Sequence, residues 1–589
     1  MNKSLHTSSA RKALLMLSLS FGLLLACSSP DATPTSPNQP SPSGTAMPSA
    51  EPTAEPTAEP SAGPEPTAAP TAAPSAEPSP TPAPTSSPGS TPSIYDYREN
   101  FFQNYKINPF VEAATDPLST FSVDVDTGSY TLARSYLNQG LLPPPAAIRP
   151  EEFINAFRYD YAQPLSGAFA LQTALGPSYF GTEQTRLLKV GLQGREILSN
   201  QRKQAVLTLL IDVSGSMNRE NRLGLVKQSL NLLLNELRPD DRVAIITLGT
   251  DARMQLDYTP AGQRALIQQV IDNLRPEGST NTEAGLKLAY QAAKGAFVQG
   301  AENRIILCSD GVVNIGERGP ESLLALARSE SQQGISLTTL GFGLQGFNDY
   351  LMEQLANQGD GYYAYIDTLA EAQRVLVRQL TSMLQVIARD VKIQVAFDPE
   401  LVDQYRLLGY ENRDIADEDF RNDNIDAGEV GSNHSVTALY ELRFKPDLRQ
   451  NGEIATVSVR YQDAADQQIK EFSESVQADQ LRNFTASSEA FKLATAVAGF
   501  AELLRDSLFI AGRSFDDILE LIDSLSPNTR QRADVQELRR LVETAKRLKN
   551  PRPAVDFATL LSQSENPREL SNWQNYLLQQ LGGNASQQP

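Results

Sequence analysis

Between residues 204 and 384 two hydrophobic patterns alternate. Short, continuously apolar runs (AVLTLLID, DRVAIITLG, NRIILCSD, ISLTTLGFG and GYYAYI) are separated by amphipathic stretches such as RLGLVKQSLNLLLNEL and NTEAGLKLAYQAAKGAF. Strands apolar on both faces and joined by helices predict a doubly wound, mostly parallel sheet covered on both sides, an α/β unit. Such sheets bind their ligands outside the carboxyl ends of the strands.

The pattern on either side is different. Upstream, STFSVDVDTGSY alternates as a half-buried strand does, YTLARSYLNQG reads as a short helix ending at Gly140, and RPEEFINAF starts another helix with Pro150 in its first turn. FALQTALGPSY and TRLLKVGLQG follow as strands. Downstream, DVKIQVAFDPE, QYRLLGY, HSVTALYELRF and ATVSVRYQD are strands, and from Glu489 the chain turns helical. Strand-like sequence therefore brackets the α/β unit. The expected architecture is an α/β domain inserted in a β-rich flanking domain whose two halves form one sheet system, with a helical C-terminal region. The expected boundaries are 94–200 for the first flank, 201–386 for the insert, 387–480 for the second flank, 481–550 for the helical region and 551–589 for a peripheral tail.

The chain starts as a targeting segment. Lys3, Arg11 and Lys12 precede an apolar run, Ala13 to Leu25, too short to span a bilayer as a helix. It ends in LLAC, which resembles a bacterial lipobox. That resemblance implies a signal peptide over 1–26, cleavage before Cys27, and lipidation of that cysteine. The expected location is the cell envelope, on the outer membrane where there are two, since Ser28 follows the cysteine, and otherwise on the outer face of the cell membrane. Residues 27–93 are a Pro/Ala/Thr/Ser-rich linker, holding 19 of the chain's 38 prolines between Pro30 and Ser93. It cannot bury a core. Extended as polyproline II at about 3.1 Å per residue it reaches on the order of 200 Å.

Composition narrows the chemistry. With 70 acidic against 51 basic residues the formal charge is -19, which argues against nucleic acid as a partner. Of 2 cysteines, Cys27 is assigned to lipid and Cys308 falls in the apolar run RIILCSD, so no intramolecular disulfide is expected. Of 2 histidines, His6 lies in the signal segment, leaving His434 at a strand start as a structural residue. Most His-dependent hydrolase mechanisms and zinc sites are thereby removed.

The first central strand ends abruptly in LLIDVSGSMN, with Asp212, Ser214 and Ser216 at alternate positions. A carboxylate at the end of a core strand is costly unless something pairs with it. Thr280, in EGSTNTEAGL, precedes a helix, and Asp310, in LCSDG, ends another apolar strand. If those strands are neighbours, two carboxylates and three hydroxyls converge. An all-oxygen set suits hard cations such as Mg²⁺, Mn²⁺ or Ca²⁺, and the ion expected here is Mg²⁺ or Mn²⁺. Two negative charges and neutral hydroxyls leave such an ion open to a further anion, such as an Asp or Glu of a partner protein.

In that order, Asp-x-Ser-x-Ser, a Thr in a Gly-containing loop and Asp-Gly after a strand resemble the metal-ion-dependent adhesion site of von Willebrand factor type A domains. The resemblance implies coordination, direct or through water, by Ser214, Ser216 and Thr280, with Asp212 and Asp310 acting largely through water. The flanks resemble a narrower group, the bacterial YfbK-like lipoproteins, through TFSVDVDTGSY, LNQGLLPPP, RPEEFINAF, LLGYENRDIADEDFRNDNIDAGEVG and HSVTALYEL. It covers about residues 110 to 545.

The expectation is a non-enzymatic, membrane-anchored binding module. The rival is an envelope scaffold or assembly factor whose metal is purely structural. An envelope hydrolase using Ser214 or Ser216 is disfavoured, because no His or Lys is placed to activate either and no GxSxG elbow is present. Two acidic stretches are left as turn and solvated loop, or as calcium loops: Asp124, Asp126 and Gly128, and Asp417 to Glu429 around Asp423.

Overall fold

The computed structural model describes residues 100–549, apart from 124, 181–184, 312–319, 447–451 and 511. The expected signal peptide, Cys27, the expected linker, Asp124 and the expected tail lie outside the described residues. The first flank contains β1 (Val111–Glu112), β2 (Leu118–Ser122), α1 (Gly128–Asn138), α2 (Pro150–Asn155), β3 (Phe169–Pro177) and β4 (Thr185–Gly194). The insert follows with β5 (Ala205–Asp212), α3 (Arg222–Glu236), β6 (Arg242–Leu248), β7 (Ala252–Pro260), α4 (Arg264–Asn273) and α5 (Thr282–Gly295). It continues through β8 (Glu302–Ser309), α6 (Pro320–Ser331), β9 (Ile335–Phe342), α7 (Asp349–Gln358), β10 (Tyr363–Ile366), α8 (Leu369–Gln373) and α9 (Leu380–Leu384). The second flank has β11 (Val386–Phe397), β12 (Val402–Leu408), β13 (Gly428–Gly431), β14 (Ser435–Phe444), β15 (Glu453–Asp463) and β16 (Ile469–Gln477). Helices α10 (Glu489–Leu504), α11 (Phe515–Asp523), α12 (Pro527–Arg530) and α13 (Ala533–Leu548) complete the described chain.

The insert is a sheet of order β10-β9-β8-β5-β6-β7. All its pairings are parallel except that of β7, an antiparallel edge strand. Alternation along β5 sends Leu207, Leu209 and Ile211 into one face's core and Leu210 into the other. Being buried on both faces is what makes these strands continuously apolar.

The flanks share their sheets as expected. One has the order β1-β12-β14-β4-β3, pairing Leu188 of β4 with Tyr440 of β14. The other has β13-β11-β15-β16, with β2 also on β11, where Phe121 faces Ile393. The two passages into and out of the insert run side by side, the Lys203 amide donating to Gln385 Oε1 at 2.9 Å. Phe121, Val190, Val395 and Val457 belong to the core of these flanking sheets. The helical region packs Phe500, Ile518 and Leu538 with Phe153, Leu187 and Leu439 in a separate core.

The insert does not stand apart from this frame. Leu132 and Tyr136 of α1 are buried in the insert's own core beside Tyr363. A Cβ on Gly128 would come within 2.2 Å of the Tyr363 ring, so only glycine allows this approach. No helix among the described residues is long and apolar enough to cross a membrane.

Candidate functional site

Strands β5 and β8 are parallel neighbours, pairing Ile211 with Cys308. Asp212 and Asp310 therefore emerge beside each other at the carboxyl edge, and both are 0% exposed. The chain beyond β5 turns at once, with the Ser214 amide donating to Asp212 Oδ1 at 2.8 Å. Ser309 Oγ donates to the other carboxylate oxygen of Asp212 at 2.8 Å. Burial, and next the neighbouring Asp310, push the Asp212 carboxyl up to about 6. The Ser214 and Ser216 hydroxyls lie 2.9 Å apart.

Thr280 is brought in by its loop. The Glu277 amide donates to Val213 O at 2.5 Å and the Gly215 amide to Gly278 O at 3.0 Å. The Asn281 amide donates to Gly249 O at 2.9 Å, and the Asn281 side chain caps α5 by accepting from the Ala284 amide at 3.1 Å. These bonds pin the Thr280 backbone between the ends of β5 and β6. Gly278, at φ +70, has Thr250 Oγ1 2.1 Å from where a Cβ would stand, so the loop needs glycine there. Thr280 is buried and Ser216 is half-buried.

The donor set is two carboxylates and three hydroxyls at one sheet edge, hard-oxygen chemistry that fits Mg²⁺ or Mn²⁺. Like charge between two buried carboxylates is relieved by a cation. The single histidine among the described residues, His434, lies elsewhere, its ring 6.1 Å from that of Tyr362 next to the amino end of β10. Burial, and then Arg374, push its imidazole down to about 4. Cys308 is buried in the core, its thiol pushed up to about 12 by burial.

One participant escapes the motif. Arg222 opens α3 and is 2% exposed. Its Nη1 donates to Asp310 Oδ2 at 2.7 Å and its Nη2 to Gln345 O at 3.2 Å. Gly343 in the loop after β9 has φ +77, and a Cβ there would stand 2.1 Å from Arg222 Nε. The sequence signal was an arginine six residues beyond Ser216, which reads as the polar face of an amphipathic helix.

The two acidic stretches behave differently. Asp126 accepts from the Tyr363 amide at 2.8 Å and pairs with Arg413 at 3.2 Å, joining the flank to the insert. Asp417 accepts from Thr120 Oγ1 at 2.6 Å, and Asp423 pairs with Arg460 at 2.7 Å. Asp426 and Glu429 converge with Asp360 of the insert, carboxylate oxygens of the three lying within 4.8 Å of one another. Asp426 and Glu429 border cavities of about 360 Å³ and 900 Å³ between the insert and the flanking sheet, and Asp360 borders the larger.

With this geometry in hand, residues 207–312 match the von Willebrand factor type A domain family and residues 96–189 the family described as von Willebrand factor. Residues 382–548 match the family described as the C-terminal region of uncharacterized protein YfbK. The chain is 38% identical over 446 residues to uncharacterized protein YfbK of Escherichia coli K12, spanning 71% of this chain and 76% of that one. The chain belongs to the YfbK-like family. Mouse inter-alpha-trypsin inhibitor heavy chain H2 is 27% identical over 191 residues, 30% of this YfbK-like chain and 20% of the mouse protein. A solved von Willebrand factor type A structure from Catenulispora acidiphila covers 65% of this chain and 91% of its own, at 16% identity and a TM-score of 0.41. Von Willebrand factor type A domains typically mediate protein–protein interactions, and the family points to a non-enzymatic role.

Proposed function

We propose that this YfbK-like protein is a non-enzymatic binding module of the bacterial envelope, anchored through lipid on Cys27. It captures an Asp or Glu of a partner protein through Mg²⁺ or Mn²⁺ held by Asp212, Ser214, Ser216, Thr280 and Asp310. The observation that carries this reading is the pair Asp212 and Asp310, both fully buried at the ends of adjacent strands, with the Ser214 and Ser216 hydroxyls 2.9 Å apart at the same edge. Arg222 answers one of the two charges through Asp310, and a bound cation would answer the other. The ion would supply positive charge and open coordination positions. The chain's own hydroxyls are neutral donors and leave that charge for an outside carboxylate.

The test is calorimetric titration of Mg²⁺ and of Mn²⁺ into the metal-stripped full chain, beside Asp212→Ala. Saturable uptake abolished by the substitution supports the site. Capture of a partner that disappears in EDTA and in Asp212→Ala supports the adhesion reading. Capture that survives both, while thermal stability falls, moves the function to the flanks and makes the metal structural.

A further inference from the structure

Arg222 is placed to decide what the site can bind. Its guanidinium is buried against Asp310 and is fixed on its other side by the Gln345 carbonyl. The loop after β9 is shaped around it, because Gly343 has neither the backbone conformation nor the space for a side chain. Arginine stays charged in such a setting.

Asp212, Asp310 and Arg222 together carry one net negative charge. A divalent ion beside them leaves one positive charge at a sheet edge where both carboxylates and the guanidinium are buried. Without Arg222, the same ion would be neutralised by the two carboxylates. Coulomb interactions between charges a few ångströms apart and shielded from solvent are strong. Arg222 therefore repels the bare ion and attracts the anion that completes it. We propose that Arg222 is the positioning residue that makes this site selective for an anionic, carboxylate-bearing ligand, by weakening metal uptake alone and coupling it to carboxylate binding. The proposal rests on the metal-site reading above.

Coupling is reciprocal, so it can be read from the metal side alone. Mg²⁺ is titrated calorimetrically into the metal-stripped full chain in chloride buffer, and again with acetate as the carboxylate probe. Wild type, Arg222→Gln and Arg222→Lys are compared. In wild type, acetate tightens Mg²⁺ binding several-fold. In Arg222→Gln, Mg²⁺ binds at least tenfold more tightly in chloride and acetate adds little. Arg222→Lys keeps the charge and retains the acetate effect. If Arg222→Gln does not fold, Gly343→Ala, which drives the guanidinium from Asp310, must shift both affinities the same way. Arg222→Gln weakening Mg²⁺ binding, or leaving the acetate effect intact, overturns the proposal while sparing the metal site. No uptake of Mg²⁺ or Mn²⁺ by wild type in either buffer overturns the metal site, and this proposal with it.

Discussion

Arg149 of the first flank places Nη1 2.5 Å from Asp349 Oδ2, the first residue of α7 in the insert. Both side chains are buried, Arg149 at 4% and Asp349 at 0% exposed. Arg149 also pairs with Glu152, which accepts from the Ser129 amide at 2.7 Å, and Tyr363 Oη donates to Asp349 at 2.6 Å. Helix α7 is capped by Asn348, whose amide nitrogen lies 2.8 Å from the Cβ position of Gly311, next to Asp310. The flank is thus joined by packed and hydrogen-bonded groups to the loop bordering the candidate site. A von Willebrand factor type A domain held this way is part of a frame rather than a bead on a string.

Removing one member of that buried network leaves the others charged and unpaired. Arg149→Met is expected to cost about 3–5 kcal/mol in urea unfolding of the full chain. Asp349→Asn alone is milder, since Arg149 keeps Glu152. A loss below about 1 kcal/mol for Arg149→Met, the scale of an exposed pair, would show that this contact does not hold flank and insert together.

The buried carboxylate pair carries a cost of its own. Asp212 has a folded-state pKa raised to about 6, so the folded state holds this proton more tightly than the unfolded chain does. Its contribution to stability is therefore highest at low pH and is lost as pH rises from about 4 through 6. In EDTA at pH 7.5, Asp212→Asn is expected to melt above wild type. Adding Mg²⁺ should raise the melting temperature of wild type and leave that of the variant unchanged. A variant melting below wild type in EDTA would mean that Asp212's hydrogen bonds outweigh its buried charge.

Lys189 of β4 gives a second pH signature, in the flank. Its ammonium donates to Tyr161 Oη at 3.0 Å and sits 4.3 Å from the centre of that ring. Among the described residues no carboxylate pairs with it in an ion pair. Burial pushes its pKa down to about 7. Between there and the ordinary lysine range the unfolded chain is charged and the folded one is not. Stability should climb with pH over that window. Lys189→Met is expected to flatten the climb and to stabilise the protein by about 4 kcal/mol at pH 7, the order of a desolvation shift of this size. An unchanged pH profile in urea unfolding would show that another group is responsible.

Much of this was legible in the chain, for physical reasons that differ from place to place. Asp212, Ser214 and Ser216 stood out because a core strand cannot end in polar groups without cause. The shared sheets of the flanks could be inferred because β4 and β14 are both strongly apolar and bracket the insert. Strand β7 gave no such signal: it is a largely exposed edge, and ARMQLDYTP has no buried face to leave a period in the sequence. Arg222 was hidden because a buried arginine and a solvated one look alike on an amphipathic helix. Asp360 was hidden because its partners Asp426 and Glu429 lie across an interface between two parts of the fold.

That interface yields a last pH-dependent prediction. Burial first, and then Asp360, push Asp426 up to about 6, and Glu429 is held well above the usual carboxylate range. Raised carboxyls favour the folded state when protonated, so this cluster costs stability as pH rises from about 4 through 6. Asp426 is itself exposed at the cavity edge, so salt screens part of the repulsion. Asp426→Asn should therefore raise the melting temperature at pH 7.5, have little effect at pH 4.5, and gain less from added NaCl than wild type does. The three measurements work together. A gain equal at both pH values would point to altered packing, whereas a gain confined to neutral pH and erased by salt is the mark of carboxylates crowded between the insert and the flanking sheet.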